Sequence, residues 1–251
     1  MPARELSGTT ALVTGASAGF GRAISFALTQ AGAHVVGVAR DSARLAELQR
    51  QLGDAFTPVT ADAADPVVAG ELTAKYRPGT LVLNAGASPL ARPVQHHTWQ
   101  TFSRNWDVDV QQVFNWTREA LLYPLDPGTV VIALSSGAAL AGSPLSGGYA
   151  GAKATIRFLT SYAAEESGRA DLGITFFSVL PKLTPATGLG ASAAAAYASR
   201  AGVDLPVYLK GLGQTLTTEQ AGQAVAELAI GGDGYRAGAY LLTAEGLSAL
   251  S

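Results

Sequence analysis

The chain has 251 residues, of which 48% are hydrophobic and 14% charged, and its formal net charge is −2 at pH 7. This composition is typical of a globular protein with a sizeable core, and the lack of a basic excess argues against nucleic acid or an anionic membrane as a partner. The absence of cysteine excludes disulfides and thiolate metal sites. The N-terminal residues lack the apolar segment of a signal peptide, and no apolar run is long enough to span a bilayer, so we expect a cytoplasmic protein.

The first 180 residues alternate between short β-rich segments and helical patterns. Strands are predicted at 10–15, 34–40, 56–62, 80–86, 128–136 and 173–181. Helices are predicted at 20–32, 42–53, 65–76, 98–122 and 149–167. Ser42 is the expected N-cap of the second helix and Gly53 its C-cap. Such alternation requires right-handed crossovers and predicts a Rossmann-type α/β fold, a doubly wound parallel sheet with helices on both faces in three layers.

The pattern changes after Pro181. Residues 182–216 are rich in Ala, Gly, Thr and Leu, and the Ala-rich stretch 190–198 favours a short helical flap. A helix at 217–230 and a strand at 238–243 follow, which brings the sheet to about seven strands. Neither a linker nor an internal repeat is evident. We therefore predict a single domain over residues 1–251 with a substrate-loop insertion at about 182–216.

The turn after the first strand, TGASAGFG, carries Gly15, Gly19 and Gly21 between a strand and a helix. Glycines let the backbone approach a pyrophosphate, whose charge then faces the free N–H groups of the helix N-terminus. A purely structural turn has the same composition, but the position after the first strand favours a dinucleotide site.

The end of the second strand indicates which dinucleotide binds. NAD sites tend to place an acid there for the ribose 2′-hydroxyl, whereas NADP sites place a cation for the 2′-phosphate. Here the strand ends in Ala39 and Arg40, and Ser17 is a candidate helper. Asp41 follows, but Ser42 marks the expected helix start and lets Asp41 point away. A surface arginine is the alternative, and we predict NADP(H) in preference to NAD(H).

Ser136, Tyr149 and Lys153 form the candidate catalytic set. Tyr149 and Lys153 are four residues apart and share one face of a helix. A tyrosine with a pKa near ~10 works as an acid or base at neutral pH only when a cation stabilises its phenolate, which Lys153 is placed to do. Ser136, at a strand end, is placed to hydrogen-bond a substrate oxygen. The set predicts proton transfer to a carbonyl while a hydride arrives from a nicotinamide.

Together with NAG at 84–86, these motifs resemble the short-chain dehydrogenase/reductase (SDR) family, in its single-domain branch with T-G-x-x-x-G-x-G and Y-x-x-x-K motifs. The resemblance covers residues 7–181 well. It implies an oxidoreductase that interconverts a ketone and a secondary alcohol, with Tyr149 as general acid/base, Lys153 lowering its pKa and Ser136 orienting the substrate oxygen. The predicted cofactor contacts are Thr14, Gly15, Ser17, Gly19, Phe20, Gly21, Arg40, Asp62, Ala63, Asn84, Ala85, Gly86, Tyr149, Lys153, Pro181, Lys182, Leu183 and Thr184.

One departure from the family pattern lies at Asp109, where these enzymes usually carry Asn as a fourth catalytic residue. Asn105 is one helical turn away, and we do not count it as a substitute. The family's Asn acts mainly through its main chain, so the role survives the change. An ionised Asp109 near Lys153 would favour the charged lysine and cancel part of the field that makes Tyr149 acidic. We therefore predict a working enzyme with a more alkaline optimum for alcohol oxidation; the alternative is that Asp109 is simply tolerated.

A second departure is Lys182, because the family usually has Gly after the proline that ends the sixth strand. The lysine side chain either points outward or reaches an anionic substrate. The segments expected to surround the substrate are mostly apolar, with Leu140, Leu145, Leu183 and Leu189 among them. They favour an apolar ketone or secondary alcohol as the substrate.

Two alternatives to a carbonyl reductase remain open. One is an NADP(H)-binding protein without turnover that acts as a regulator or interaction partner, and the other is a dehydratase or imine reductase that uses the same Tyr149–Lys153 pair. No metal is expected, because His96 and His97 are adjacent and no third ligand is suitably spaced. The helices at 98–122 and 149–167 have apolar faces suited to a homodimer or homotetramer.

Overall fold

The computed structural model describes residues 4–231, 234–236 and 238–250. Its strands are β1 Thr10–Thr14, β2 His34–Ala39, β3 Phe56–Thr60, β4 Thr80–Leu83, β5 Val130–Leu134, β6 Thr175–Pro181, β7 Gly238–Thr243 and β8 Gly246–Leu250. They form one sheet in the order β3-β2-β1-β4-β5-β6-β7-β8. All neighbouring pairs are parallel except β7 and β8, which pair antiparallel. The predicted doubly wound parallel α/β class is confirmed.

Helices connect the parallel strands and cover both faces of the sheet. Within the described residues they are α1 Gly19–Gln30, α2 Ser42–Leu52, α3 Pro66–Tyr76, α4 Trp99–Asn105, α5 Gln111–Leu122, α6 Ala138–Ala141, α7 Tyr149–Arg169, α8 Gly188–Ala201, α9 Leu205–Gly211 and α10 Thr218–Ile230. A π-helical turn, Trp106–Val110, joins α4 to α5. The single helix predicted at 98–122 is therefore two helices with a wider turn between them, and such turns are frequent at functional sites.

One smaller prediction was wrong. Asp41, not Ser42, is the N-cap of α2, because its carboxylate accepts the N–H of Arg44 at 3.0 Å. The sheet has eight strands, close to the predicted number of about seven, and β8 is the strand that the sequence pattern did not indicate. Strand β8 lies at the sheet edge and its residues are half-buried or exposed, so it lacks the apolar alternation by which strands are recognised.

The core consists of two layers, one on each face of the sheet. On one face, α1 and α10 pack through residues such as Ile24, Leu28 and Val225. On the other, α3, α5 and α7 pack through residues such as Trp116 and Ile156. These layers hold the strand ends that carry the site. Among the described helices, none has both the length and the apolar character needed to cross a membrane.

Candidate active site

A cleft of about 990 Å³ lies at the carboxyl ends of the parallel strands. The strand order changes direction between β1 and β4, because β2 and β3 lie on one side of this point and β5 and β6 on the other. Ligands of doubly wound folds bind at such a switch point. The insertion contributes a wall through α8, where Leu189, Ala193 and Tyr197 line the cleft.

The glycine turn after β1 forms the floor of one end of the cleft. A β-carbon at Gly21 would lie 2.1 Å from the carbonyl oxygen of Gly15, so only glycine allows α1 to pack this closely against the turn. Thr14 is buried, and its hydroxyl accepts the N–H groups of Asn84 at 2.9 Å and Ala85 at 3.1 Å. Thr14 and Gly21 therefore shape the floor, and neither lines the cleft itself.

Arg40 lies at the end of β2, exposed and lining the cleft. Its neighbour Asp41 is used elsewhere, since it caps α2 and forms an ion pair with Arg44 at 3.3 Å. Within the described residues no carboxylate pairs with Arg40. Arg40 is thus the cation that remains available to an anionic ligand at this end of the cleft.

The loop after β3 is held in place by α5. The indole N–H of Trp116 donates to the Ala63 oxygen at 2.8 Å, and the Asn115 amide donates to the Ala64 oxygen at 2.9 Å. Asp62, exposed, and Ala63, buried, both line the cleft. These bonds to main-chain oxygens fix the loop as one wall of the end that contains Arg40.

The three candidate catalytic residues line the cleft where β5 ends and α7 begins. Tyr149 begins α7, and the ammonium of Lys153 lies 5.6 Å from the centre of the Tyr149 ring. Ser136 follows β5, and its hydroxyl accepts the N–H of Ala138 at 3.2 Å. The buried Ser135 donates to the main-chain oxygen of Lys153 at 2.7 Å, which joins α7 to the end of β5. Ser136, Tyr149 and Lys153 all line the cleft.

Comparison with known proteins agrees with this geometry. Residues 9–198 match the family model described as short chain dehydrogenase. The chain belongs to the short-chain dehydrogenase family. Its relatives are described as dehydrogenases and reductases.

Individual relatives match the chain over different lengths. A probable NADP-dependent dehydrogenase of Haemophilus influenzae is 36% identical over 118 residues, which are 45% of this chain and 47% of the relative. An L-xylulose reductase of Bos taurus is 31% identical over 184 residues, 72% of this chain and 75% of the relative. Among solved structures, a protein of Beutenbergia cavernae described as an NAD(P)-dependent gluconate 5-dehydrogenase, with bound NADP, has a TM-score of 0.79 at 25% identity and covers 96% of this chain and 97% of its own.

Asp109 forms an ion pair with Lys153. The two side chains are 1% and 6% exposed, and Asp109 Oδ2 lies 3.1 Å from Lys153 Nζ. The ammonium also donates to the Leu134 oxygen at 3.0 Å. Burial by itself lowers the pKa of Lys153, but the Asp109 carboxylate, with a smaller contribution from Tyr149, outweighs burial and raises that pKa above its ordinary value. Lys153 is therefore held as a cation at neutral pH.

Asn105, one helical turn before Asp109, belongs to the same network. Its amide nitrogen donates to the Ala87 oxygen at 2.6 Å and approaches Asp109 Oδ1 at 3.3 Å. The Ala87 N–H donates to the same Oδ1 at 2.8 Å. Asn105 and Asp109 thus bind both polar groups of the Ala87 backbone. A β-carbon at Gly86 would lie 2.9 Å from Asp109 Oδ2, so glycine lets this loop rest directly on the carboxylate.

These contacts give a physical reason for Asp at position 109. Oδ1 faces two donors, the Ala87 N–H and the Asn105 amide, and Oδ2 faces a third, the Lys153 ammonium. A carboxylate accepts on both oxygens, whereas an amide presents one oxygen and one NH₂ group. An Asn at position 109 would therefore turn its NH₂ group toward a donor in either orientation.

The segment after β6 crosses the cleft toward the glycine turn. Lys182 is exposed and lines the cleft. Thr184 also lines it, and its buried hydroxyl donates to the Leu216 oxygen. Thr187 lies closest to the turn, 3.6 Å from the point where a β-carbon on Gly19 would lie. The insertion thus covers the cleft between its two ends.

Most of the residues predicted to bind the cofactor lie on this cleft. They are Gly15, Ser17, Gly19, Phe20, Arg40, Asp62, Ala63, Asn84, Ala85, Gly86, Tyr149, Lys153, Pro181, Lys182, Leu183 and Thr184. The fourth predicted catalytic residue, Asp109, lines it as well. Within the part of the chain that the structure describes, no cluster of His, Cys, Asp and Glu is suited to a metal ion.

Proposed function

We propose that this protein is an NADP(H)-dependent oxidoreductase that interconverts a ketone and a secondary alcohol, and that residues 1–251 act as one domain. The observation that carries the proposal is the position of Tyr149 beside the buried Lys153 ammonium, with Ser136, on a cleft that also contains the glycine turn. Binding, acid–base and orienting groups then share one surface, as hydride transfer to a carbonyl requires.

In the proposed reduction, Tyr149 donates its hydroxyl proton to the substrate oxygen, and Ser136 donates a hydrogen bond to the same oxygen. The positive charge of Lys153 stabilises the phenolate left on Tyr149. Asp109 keeps Lys153 protonated and reduces the field that Tyr149 experiences. The nicotinamide cofactor, when bound, supplies the hydride chemistry. In alcohol oxidation the proton moves in the opposite direction, onto Tyr149.

The residues present fit a dinucleotide that carries a 2′-phosphate. The exposed Arg40 has no carboxylate partner among the described residues, and its planar guanidinium suits a phosphate. Arg40 at the end of β2 and Tyr149 beside β5 are separated by three inter-strand spacings, about 14 Å, which an extended dinucleotide spans. The bacterial relative is described as NADP-dependent, and the Beutenbergia structure contains NADP.

The substrate proposed is a small molecule with an apolar part. Leu140, Leu145, Leu183 and Leu189 line the cleft, together with Tyr197 of the insertion. The relative from Bos taurus is described as a reductase of L-xylulose, a carbonyl compound.

A homodimer or homotetramer is proposed as the assembly. Large apolar side chains are exposed on the helices predicted to pair, including Trp99 at 77%, Phe114 at 50%, Phe158 at 56% and Tyr162 at 59%. Phe158 and Tyr162 lie on the outer face of α7 and their rings stack. Sedimentation of the wild type against Phe158→Glu tests this: we expect the oligomer to dissociate, and a monomeric wild type would refute it.

The proposed activity is tested in two steps. A nicotinamide-fluorescence titration with NADPH and NADH establishes the cofactor, and a carbonyl panel with the tighter-binding cofactor establishes turnover. We expect tighter NADPH binding and reduction of at least one ketone, lost in Tyr149→Phe. Tight NADPH binding with no turnover across ketones, imines and dehydration substrates would instead favour a regulatory cofactor-binding protein.

A further inference from the structure

Three charged side chains line the catalytic end of the cleft, Asp109, Lys153 and Lys182. Asp109 and Lys153 form the buried ion pair at 3.1 Å and largely neutralise each other. Lys182 is exposed, and no carboxylate within the described residues pairs with it. A ligand at this end of the cleft therefore meets the positive charge of Lys182 rather than that of Lys153.

Within the described residues, the three loop segments that line this end of the cleft carry no acidic side chain. The segments 85–92, 136–148 and 182–201 contain neither Asp nor Glu. The other acids on the cleft, Asp41 and Asp62, follow β2 and β3. The end of β2 is four inter-strand spacings from β6, about 19 Å. This exceeds the Debye length of ~8 Å at physiological ionic strength, so both carboxylates are screened from Lys182.

The backbone places Lys182 next to the catalytic serine. The Lys182 N–H donates to the Leu242 oxygen at 2.9 Å, which fixes the residue at the end of β6. The main-chain oxygen of Pro181, the residue before Lys182, accepts the N–H of Gly137 at 2.9 Å, and Gly137 directly follows Ser136. The glycine turn at the end of β1 is three spacings away, about 14 Å. A lysine side chain reaches roughly 6 Å, so the substrate region is nearer than the pyrophosphate site.

We propose that Lys182 binds a carboxylate of the substrate, so that the enzyme acts on a keto acid or hydroxy acid whose remaining part is apolar. The inference rests on the proposed function and adds its substrate class. The lysine supplies a charge-assisted hydrogen bond at the cleft wall, and the leucines of the same cleft contact the apolar part. The Asp109–Lys153 ion pair contributes to the selectivity for a carboxylate, because it leaves Lys182 as the dominant cation at this end of the cleft.

A binding experiment tests the proposal without turnover. The NADPH-loaded enzyme is titrated with hexanoate and with hexanamide, which differ in charge but hardly in size, and binding is followed by NADPH fluorescence. We expect hexanoate to bind on the order of tenfold more tightly. This preference disappears in Lys182→Met and persists in Lys210→Met, a matched change at an exposed lysine of α9 outside the cleft.

Turnover provides a second readout. Lys182→Met lowers kcat/KM for 3-oxohexanoate on the order of tenfold more than it lowers kcat/KM for the methyl ester of the same acid. Equal binding of hexanoate and hexanamide to the wild type would overturn the proposal. So would a tenfold loss of NADPH affinity in Lys182→Met with no change in the hexanoate preference, because the lysine would then serve the cofactor. If the binding preference is present but no carbonyl is reduced, the proposed function fails and the carboxylate site stands.

Discussion

The two ends of the cleft use charge in opposite ways. Around Arg40 the charged groups are exposed, and their contacts join residues close together in the chain, as in the Asp41–Arg44 pair. Around Lys153 the paired charged groups are buried, and their partners come from the loop after β4, the π-helical turn and α7. Exposed pairs contribute little to stability, whereas a broken buried pair costs several kcal/mol. Changes at the first end should therefore alter cofactor affinity, and changes at the second should alter chemistry and stability together.

The largest effect is expected from removing the Tyr149 hydroxyl at the catalytic end. Tyr149→Phe should lower kcat by about 10²- to 10⁴-fold, the usual contribution of a general acid or base. NADPH affinity should change much less than kcat, because the Arg40 end is untouched. Steady-state kinetics and a fluorescence titration on the same sample check both statements. If Tyr149→Phe had the kcat of the wild type, Tyr149 would not be the general acid/base.

Asp109→Asn should destabilise the protein by about 3–5 kcal/mol, the range for a buried pair that loses one partner. The pH dependence gives a sharper test. In the wild type the raised pKa of Lys153 adds stability that is fully present below pH 10.5, its ordinary value, and is lost as the pH rises through the folded-state pKa. In the variant burial and the smaller contribution of Tyr149 remain, and burial, the larger of the two, lowers the pKa of Lys153.

The unfolding free energy of Asp109→Asn should therefore rise as the pH approaches 10.5. In the wild type, Lys153 contributes no pH dependence to the unfolding free energy over the same range. Urea unfolding across this pH range measures the slope for both proteins, and parallel curves would contradict the ion pair.

The pH dependence of turnover gives a separate test. While Lys153 keeps its proton, loss of the Asp109 charge should shift the midpoint of the pH profile for alcohol oxidation to lower pH. An unmoved profile would mean that Asp109 does not tune the site.

At the opposite end, Arg40→Ala should weaken NADPH binding by about 10- to 100-fold, the contribution of a hydrogen bond to a charged group. NADH affinity should stay the same, and kcat with saturating NADPH should change little. Arg44→Ala is the matched control, because Arg44 already pairs with Asp41. Tighter binding of NADH than of NADPH by the wild type would remove the basis for this assignment.

The smallest effect is expected for Asn105, and a matched residue on the same run of helices makes it measurable. Asn105 donates to the Ala87 oxygen at the catalytic end, and Asn115 donates to the Ala64 oxygen at the other end. Each Asn→Ala change should cost about 1–3 kcal/mol, since each leaves a main-chain oxygen without its donor. Only Asn105→Ala should also lower kcat, because only Asn105 helps to hold Asp109. Equal kcat values would make Asn105 a purely structural residue.

Much of the site was predictable because its signals are local in sequence. The glycine turn depends on residues that follow one another between β1 and α1, and Tyr149 and Lys153 share a face because one helical turn separates them. The strands were predicted because parallel, buried strands are continuous apolar runs. The boundaries differ by a few residues, and the α2 cap moved to Asp41 because Asp and Ser are both good caps and only the backbone decides between them.

What the sequence by itself determined was the fold class, the glycine turn and the Tyr149–Lys153 pair, since each follows from spacing along the chain. The tertiary structure alone decided the partners of Asp109. Its position was indicated by comparison with the family, but its two donors, on Ala87 and Asn105, and its ion-pair partner Lys153 lie on three different elements. The sequence of the π-helical turn between α4 and α5 has no apolar periodicity that would predict it. Only packing brings these groups together, and there a carboxylate can accept from donors on both sides, whereas an amide cannot.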